Sequence, residues 1–268
     1  MVVALQQFAA EYPRWVVLTG AGVSLSSGIP TYRDEKGIWQ RPYQPIQHQE
    51  FIQNANMRRR YWARSFLGWA TVGQAQPNRA HSVLAELEQR GTVSLLITQN
   101  VDNLHQRAGS KRVIDLHGNL SRVVCLSCGT LVERAELQAR MQSENLHFMG
   151  LGIEVRPDGD AELDGAIIQQ FNPPHCSVCG GDLMPDVVFF GGIVPSIRVA
   201  KCMQALELAD ALVVVGSSLK VYSGYRFCVK ARELGKPIVL INPGWTRADE
   251  LAQLKITTPC VPALEALL

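Results

Sequence analysis

Six short runs of almost unbroken apolar residues, rich in β-branched side chains, limit what this chain can become. They are WVVLTG (15–20), VSLLIT (93–98), RVIDL (112–116), DVVFF (186–190), ALVVVG (211–216) and IVLIN (238–242). Successive side chains of a strand point to opposite faces, so a strand with one wet face alternates apolar and polar residues. These runs do not alternate, which is the pattern of strands covered on both faces, as in a parallel sheet. Helical patterns lie between several of them. In NRAHSVLAELEQRG, Asn78 is a candidate N-cap and Gly91 a C-terminal stop. SIRVAKCMQALELAD, GYRFCVKARELGK and TRADELAQL follow the later strands. This alternation predicts an α/β fold with a doubly wound, mostly parallel, Rossmann-like sheet.

Two stretches break the alternation. Residues 33–76, rich in Arg, Gln, Pro and aromatics, read as a helical excursion, with Arg58-Arg59-Arg60 on its solvated face. Residues 118–185 carry two cysteine pairs and the turn-like RPDGD at 156–160. They read as a small zinc-binding domain inserted between two strands. The remainder, 1–117 and 186–268, forms the Rossmann-like domain with the excursion inside it.

The chain has 268 residues, is 47% hydrophobic and 19% charged, and carries a formal net charge of +2. That balance gives no reason to expect a nucleic-acid or membrane partner. No apolar run reaches the ~18 residues a membrane span needs. The start, MVVALQQFAAEYPRW, has neither the basic n-region nor the apolar h-region of a secretory signal. A cytoplasmic protein is expected.

Four of the seven cysteines form two pairs, Cys125-x-x-Cys128 and Cys176-x-x-Cys179. A C-x-x-C turn sets two thiolates on one side of a tetrahedron, so two turns make a closed, structural Zn²⁺ site with no open position for chemistry. Each pair is followed by glycine, Gly129 and Gly180, which lets backbone amides approach the sulfurs. Cys202, Cys228 and Cys260 are scattered, and the odd total argues against a disulfide framework. His175 abuts Cys176 and is a competing ligand.

Ligands of open α/β sheets bind at the carboxyl ends of the strands. The first run delivers Gly20, Ala21, Gly22 and Ser24 there. VSLLIT delivers Gln99, Asn100, Asp102, Asn103 and His105; RVIDL delivers His117 and Gly118. ALVVVG ends in Gly216-Ser217-Ser218, and IVLIN in Asn242-Pro243-Gly244. Together they predict one crevice dense in hydrogen-bonding groups. Gly20, Ala21 and Gly22 let backbone amides approach a pyrophosphate. A dinucleotide-binding dehydrogenase, however, would have a third glycine where Leu25 stands, and an acidic residue about 20 positions on. Asp34 and Glu35 come too early. A tight turn without a ligand is the other reading of Gly20–Gly22. His117, directly after a strand, suits a general base near neutral pH. His105 is a weaker candidate, and His48, His81 and His147 have no supporting context.

The segments GAGVSLSSGIPTYR, TQNVDNLHQRAG, LHG, the two C-x-x-C pairs, PDVVFFG, VVGSSLKVYSG and INPG stand in the order seen in the sirtuins, NAD-dependent protein-lysine deacylases. The resemblance runs from about residue 15 to 260. QPIQH (44–48), RRYWARSFLGW (59–69), RPDGD and SSLKVYSGYRF (217–227) resemble the class II branch, to which the fourth mammalian sirtuin belongs, and a bacterial member is the simpler expectation.

The resemblance implies NAD as co-substrate, bound by Gly20, Ala21, Gly22, Ser24, Gly28, Pro30, Tyr32, Arg33, Trp39, Gln99, Asn100, Val101 and Asp102. Gly216, Ser217, Ser218, Asn242, Pro243, Gly244 and Cys260 would hold its adenosine half. Asn100 and Asp102 would serve catalysis around the ribose and the nicotinamide amide. His117 would deprotonate a ribose hydroxyl after the acyl oxygen has attacked the anomeric carbon. The products would be free lysine, nicotinamide and 2′-O-acyl-ADP-ribose, and the partners acylated-lysine proteins meeting a monomer. Many members read GIPDFR where this chain has Thr31 and Tyr32. Tyr61 and Arg64, three apart on a helix face, match the pair that some sirtuins use to grip acidic acyl groups; packing in a helical module is the other reading. Mono-ADP-ribosyl transfer is the alternative activity, and a zinc-dependent binding module without catalysis the third.

Overall fold

A computed structural model describes residues 2–31, 45–150 and 163–268. Among these, nine strands run in chain order: β1 (Trp15–Thr19), β2 (Val93–Thr98), β3 (Val113–Asp115), β4 (Gly118–Cys125), β5 (Leu131–Glu133), β6 (Leu183–Val187), β7 (Ala211–Val215), β8 (Ile238–Ile241) and β9 (Leu254–Ile256). The helices are α1 (Val2–Glu11), α2 (His48–Gln53), α3 (Ala55–Gln74), α4 (Arg79–Gln89), α5 (Leu104–Arg107), α6 (Arg134–Glu144), α7 (Gly165–Gln169), α8 (Ser196–Leu208), α9 (Tyr222–Glu233) and α10 (Cys260–Glu265).

Six strands form a parallel sheet in the order β3-β2-β1-β7-β8-β9. The missing alternation has a direct cause. Trp15 and Val17 of β1 pack with Leu5, Phe8, Val83, Leu84 and Leu264 on one face. Val16 and Leu18 pack with Leu206, Phe227, Cys228 and Ala231 on the other. Both faces are core, so both sets of side chains are apolar. Strand order reverses between β1, which leads to β2 and β3, and β7, which leads to β8 and β9. That switch point opens a crevice at the carboxyl ends of β1 and β7.

α4 begins as the sequence predicts: the Ala80 amide donates to the Asn78 side chain at 2.9 Å, and Gly91 turns the chain at φ +86°. Two expectations are corrected. DVVFF does not join the parallel sheet; the strand is β6, shifted toward the N-terminus and paired antiparallel with β4. The sixth parallel strand is instead β9, only three residues long. TRADELAQL holds a short 3-10 turn at Asp249–Leu251 rather than a helix, because the chain rejoins the sheet at once: the Gln253 amide donates to the Ile238 carbonyl at 2.9 Å and β9 begins at Leu254.

β5, β4 and β6 form a three-stranded antiparallel sheet beside the large one. α2 and α3 share a hydrophobic cluster with it: Phe51, Trp62 and Phe66 meet Val123, Leu137, Phe148 and Leu183. Arg134 of α6, 1% exposed, lies against the rings of Trp62 and Trp69 and donates to the Ser65 carbonyl. Burial lowers its guanidinium to about 10, so it stays charged at neutral pH and ties α6 to α3. Arg58 is not simply solvated: it meets Asp182 at 2.9 Å. Among the described residues no helix is long and apolar enough to cross a membrane.

Candidate functional site

The loops after β1 and β7 touch through backbone. The Gly22 amide donates to the Gly216 carbonyl at 2.9 Å. A Cβ on Gly22 would fall 2.9 Å from Gly216 Cα, one on Gly20 would fall 2.7 Å from Ser217 Cβ, and one on Gly216, at φ +62°, would fall 2.6 Å from the Val23 nitrogen. Side chains are excluded here because the two loops meet, and the surface they leave is a cradle of main chain and small side chains.

The end of β2 fastens onto both loops. Gln99 Nε2 donates to the Thr19 carbonyl at 3.2 Å and to Ser217 Oγ at 2.7 Å. Asn100 Nδ2 donates to the Gly20 carbonyl at 3.1 Å and to Ser24 Oγ at 3.0 Å, and the Ser24 hydroxyl donates onward to Asp102 Oδ2 at 2.6 Å. Asp102 also accepts from the Leu104 amide at 3.0 Å. Burial pushes its carboxyl up, while these two hydrogen bonds to the charged form oppose the rise.

His117 leaves β3 toward the same crevice. Its Nδ1 lies 3.0 Å from the Gln99 carbonyl, which can only accept, so Nδ1 carries the hydrogen and Nε2 the lone pair. Nε2 is 2.7 Å from the Ser223 hydroxyl, which therefore donates to it. Burial holds the imidazole pKa below its ordinary value, and the cations Arg198 and Arg226 act in the same direction. At neutral pH the ring is a neutral base. Its carbonyl accepts from the Val188 amide at 2.8 Å, which joins the small sheet to the crevice.

The crevice encloses a cavity of about 1040 Å³, at the upper end of the ~300–1,000 Å³ usual for ligand sites. The close approach that the glycine cradle allows and this volume fit an extended ligand.

The four paired cysteines converge. Their Sγ atoms all lie within 4.8 Å of one another, with Cys125 to Cys179 at 3.5 Å and Cys128 to Cys176 at 3.8 Å. Four sulfurs ~2.3 Å from one Zn²⁺ would stand about 3.8 Å apart, so the donors fit the metal. Gly129 and Gly180 both adopt φ +73°, and each returns its amide to the carbonyl of the first cysteine of its pair. His175 is not in the cluster; its Nδ1 faces Asp182 at 3.7 Å.

The Sir2 family profile matches residues 20–223. The chain belongs to the Sir2 family. An NAD-dependent protein deacetylase 2 from Bradyrhizobium diazoefficiens is 50% identical over 265 residues, 99% of this chain and 97% of that one. A Sir2 structure described with a deacetylated p53 peptide and 3′-O-acetyl ADP ribose superposes with a TM-score of 0.78 at 29% identity, covering 99% of this chain and 96% of that one. A Sir2 homologue in complex with ADP ribose gives 0.76 at 33% identity, covering 98% and 94%.

Most of the residues singled out in the sequence border the Sir2 crevice. Gly20, Ala21, Gly22, Ser24 and Pro30 line it after β1, and Gln99, Asn100, Val101 and Asp102 after β2. His117 lines it too, as do Gly216, Ser217 and Ser218, then Asn242, Pro243, Gly244 and Cys260. Gly28 does not line it; at φ +81° it turns the loop that carries Pro30. Tyr32, Arg33 and Trp39, as well as RPDGD, lie outside the described residues. Tyr61 reaches the wall of the cavity within an aromatic cluster with Phe51, Trp62 and Phe189. Arg64 is buried on α3 and does not line the cavity. His105 is structural: buried, it meets Thr19 Oγ1 at 2.9 Å and packs against His81. Phe189, Phe190, Arg226 and Trp245 also line the crevice and were not foreseen. PDVVFFG and SSLKVYSGYRF were the signals that held three of them.

Proposed function

We propose that this crevice binds NAD and an acylated lysine side chain, and that His117 is the base of the acyl transfer. The chain is an NAD-dependent protein deacetylase of the Sir2 family. The neutral His117 ring, whose Nε2 lone pair accepts from the rotatable Ser223 hydroxyl at the crevice wall, carries the reading. NAD, when bound, supplies the ADP-ribose that accepts the acyl group and loses nicotinamide in exchange. The chain's own residues would do the rest. The bare main chain of Gly20, Gly22 and Gly216, whose own amides are bonded to Val215, Gly216 and Ile241, would let the phosphates approach closely. Gln99, Asn100 and Asp102 would orient the sugar and the amide next to it. His117 Nε2 would take a proton from a ribose hydroxyl, a role worth ~10²–10⁴ in rate. Cys125, Cys128, Cys176 and Cys179 would hold a zinc that keeps the small sheet folded and takes no part in the reaction.

Within the family we assign the chain to class II, near the fourth mammalian sirtuin, on the support of RRYWARSFLGW and SSLKVYSGYRF. A monomer acting on acylated proteins in a bacterial cytoplasm completes the proposal, supported by the bacterial relative. Because Tyr61 lines the cavity and Arg64 does not, a neutral acyl group is favoured over an acidic one.

Nicotinamide release from NAD, measured with acetyl-lysine and succinyl-lysine peptides, the unacylated peptide and His117→Ala, tests this. Release that needs both the acetyl group and His117 is expected. Release without an acyl group, with label passing from NAD to protein, would point to ADP-ribosyl transfer instead. Succinyl-peptide turnover that collapses in Arg64→Met would restore the acidic-acyl alternative.

A further inference from the structure

Ser223 is the second residue of α9, two positions past its N-cap Val221, and so has no capping duty to its own helix. α9 starts without a side-chain cap, and the Ser223 hydroxyl is turned to His117 Nε2 at 2.7 Å. The next residue fixes that approach. A Cβ on Gly224 would fall 2.6 Å from Gln99 Oε1, so the helix start is pressed against the residue whose carbonyl holds His117 Nδ1. Both ring nitrogens are thus held from one side-by-side pair of residues: Nδ1 by Gln99, Nε2 by the serine packed next to it.

We propose that Ser223 is the positioning residue of the base, holding the plane of the His117 ring through Nε2 and turning to accept from Nε2–H once the ring is charged. The proposal rests on His117 being the base. The proton balance is simple. The serine hydroxyl first swings its hydrogen off the Nε2 lone pair; the O–H bond of the sugar hydroxyl then breaks and an N–H bond forms at that lone pair, while the serine keeps its own proton and offers its oxygen. A hydroxyl is suited to this because it donates to the neutral ring and accepts from the charged one. The need for an acceptor is local: Arg198 from α8 and Arg226 from α9 both disfavour the imidazolium, and Asp186 from β6 is already engaged with Arg198 at 3.4 Å and Arg122 at 2.9 Å.

The test uses the full-length, zinc-loaded protein with NAD and an acetyl-lysine peptide. It compares Ser223→Ala, Ser223→Thr and His117→Ala in two assays: formation of deacetylated peptide, and exchange of labelled nicotinamide into NAD. Exchange precedes the proposed base step, so a residue that acts only through His117 should leave it alone. For Ser223→Ala we expect kcat for deacetylation to fall roughly three- to tenfold, the size of one lost neutral hydrogen bond. KM for NAD and the exchange rate should stay unchanged, and Ser223→Thr should recover most of the loss. Wild-type deacetylation by Ser223→Ala, with His117→Ala inactive, would overturn the proposal and leave the base in place. Exchange falling in step with deacetylation would also overturn it, since that marks general damage to the crevice. Full deacetylation by His117→Ala would instead remove the reading on which the proposal stands.

Discussion

Gly118 joins His117, the proposed base, to the small sheet, and replacing it with alanine should be far more damaging than the same change at a glycine of equal backbone conformation. Gly118 has φ +87° and Gly91 has φ +86°, so either alanine carries the left-handed penalty of ~1–2 kcal/mol. Their surroundings differ. A Cβ at Gly91 meets nothing within 4 Å, whereas one at Gly118 falls 2.0 Å from the Asp186 carbonyl oxygen and 2.7 Å from Val187 Cα. Those atoms are backbone of β6, and Gly118 is paired with Val187 in the ladder. They cannot swing aside as a flexible side chain would. Forcing such a contact adds ~1–3 kcal/mol. Urea unfolding should therefore show Gly91→Ala losing about 1–2 kcal/mol and Gly118→Ala about 2–5 kcal/mol. Only Gly118→Ala should also lower deacetylation, because the strained strand carries His117. Equal destabilisation by the two changes would refute the steric argument, as would wild-type turnover in Gly118→Ala.

Other expectations follow from titration and metal binding. Burial and two cations keep His117 neutral, so the acid limb of kcat/KM should fall below pH 6.5 and the rate should be flat above it; a limb above 6.5 would contradict the environment described. His81 is lowered to about 4 by burial, and His105 is lowered well below its ordinary value by burial and by His81. The unfolded chain takes protons near pH 6.5 that the native state refuses. Stability is thus full above that pH and lost as pH falls from 6.5 toward 4, by up to ~1.4 kcal/mol per pH unit for each histidine; urea midpoints that stay level between pH 7.5 and 5 would count against this. Cys128→Ser should release zinc and lower unfolding stability together, with activity lost only as the fold is lost; full zinc content in that variant would contradict the four-thiolate site.

Much of the large sheet was legible because burial on both faces leaves a simple mark, as the opposed packing of Val17 and Val16 illustrates. The same mark misled at DVVFF: only Asp186 and Val187 belong to β6, and Val188, Phe189 and Phe190 are apolar because they wall the crevice after the strand ends. β9 escaped notice because three residues are too few for a pattern. The crevice was readable where glycines and amides end strands, since their chemistry is local. Arg64 was not, because helical spacing puts it on the face of Tyr61 without saying how far α3 is rotated toward the cavity. Ser223 was invisible for a related reason: in sequence it is a serine at a helix start, and only the packing of Gly224 on Gln99 turns it to His117.

The most direct measurement follows the acetyl group. A peptide carrying isotope-labelled acetyl-lysine is incubated with NAD and either the wild-type chain or His117→Ala, and the products are resolved by mass spectrometry. Label recovered on ADP-ribose in equal amount to the nicotinamide released, and absent with His117→Ala, is expected. Label appearing as free acetate from the start, or an undiminished yield from His117→Ala, would contradict the role given to His117.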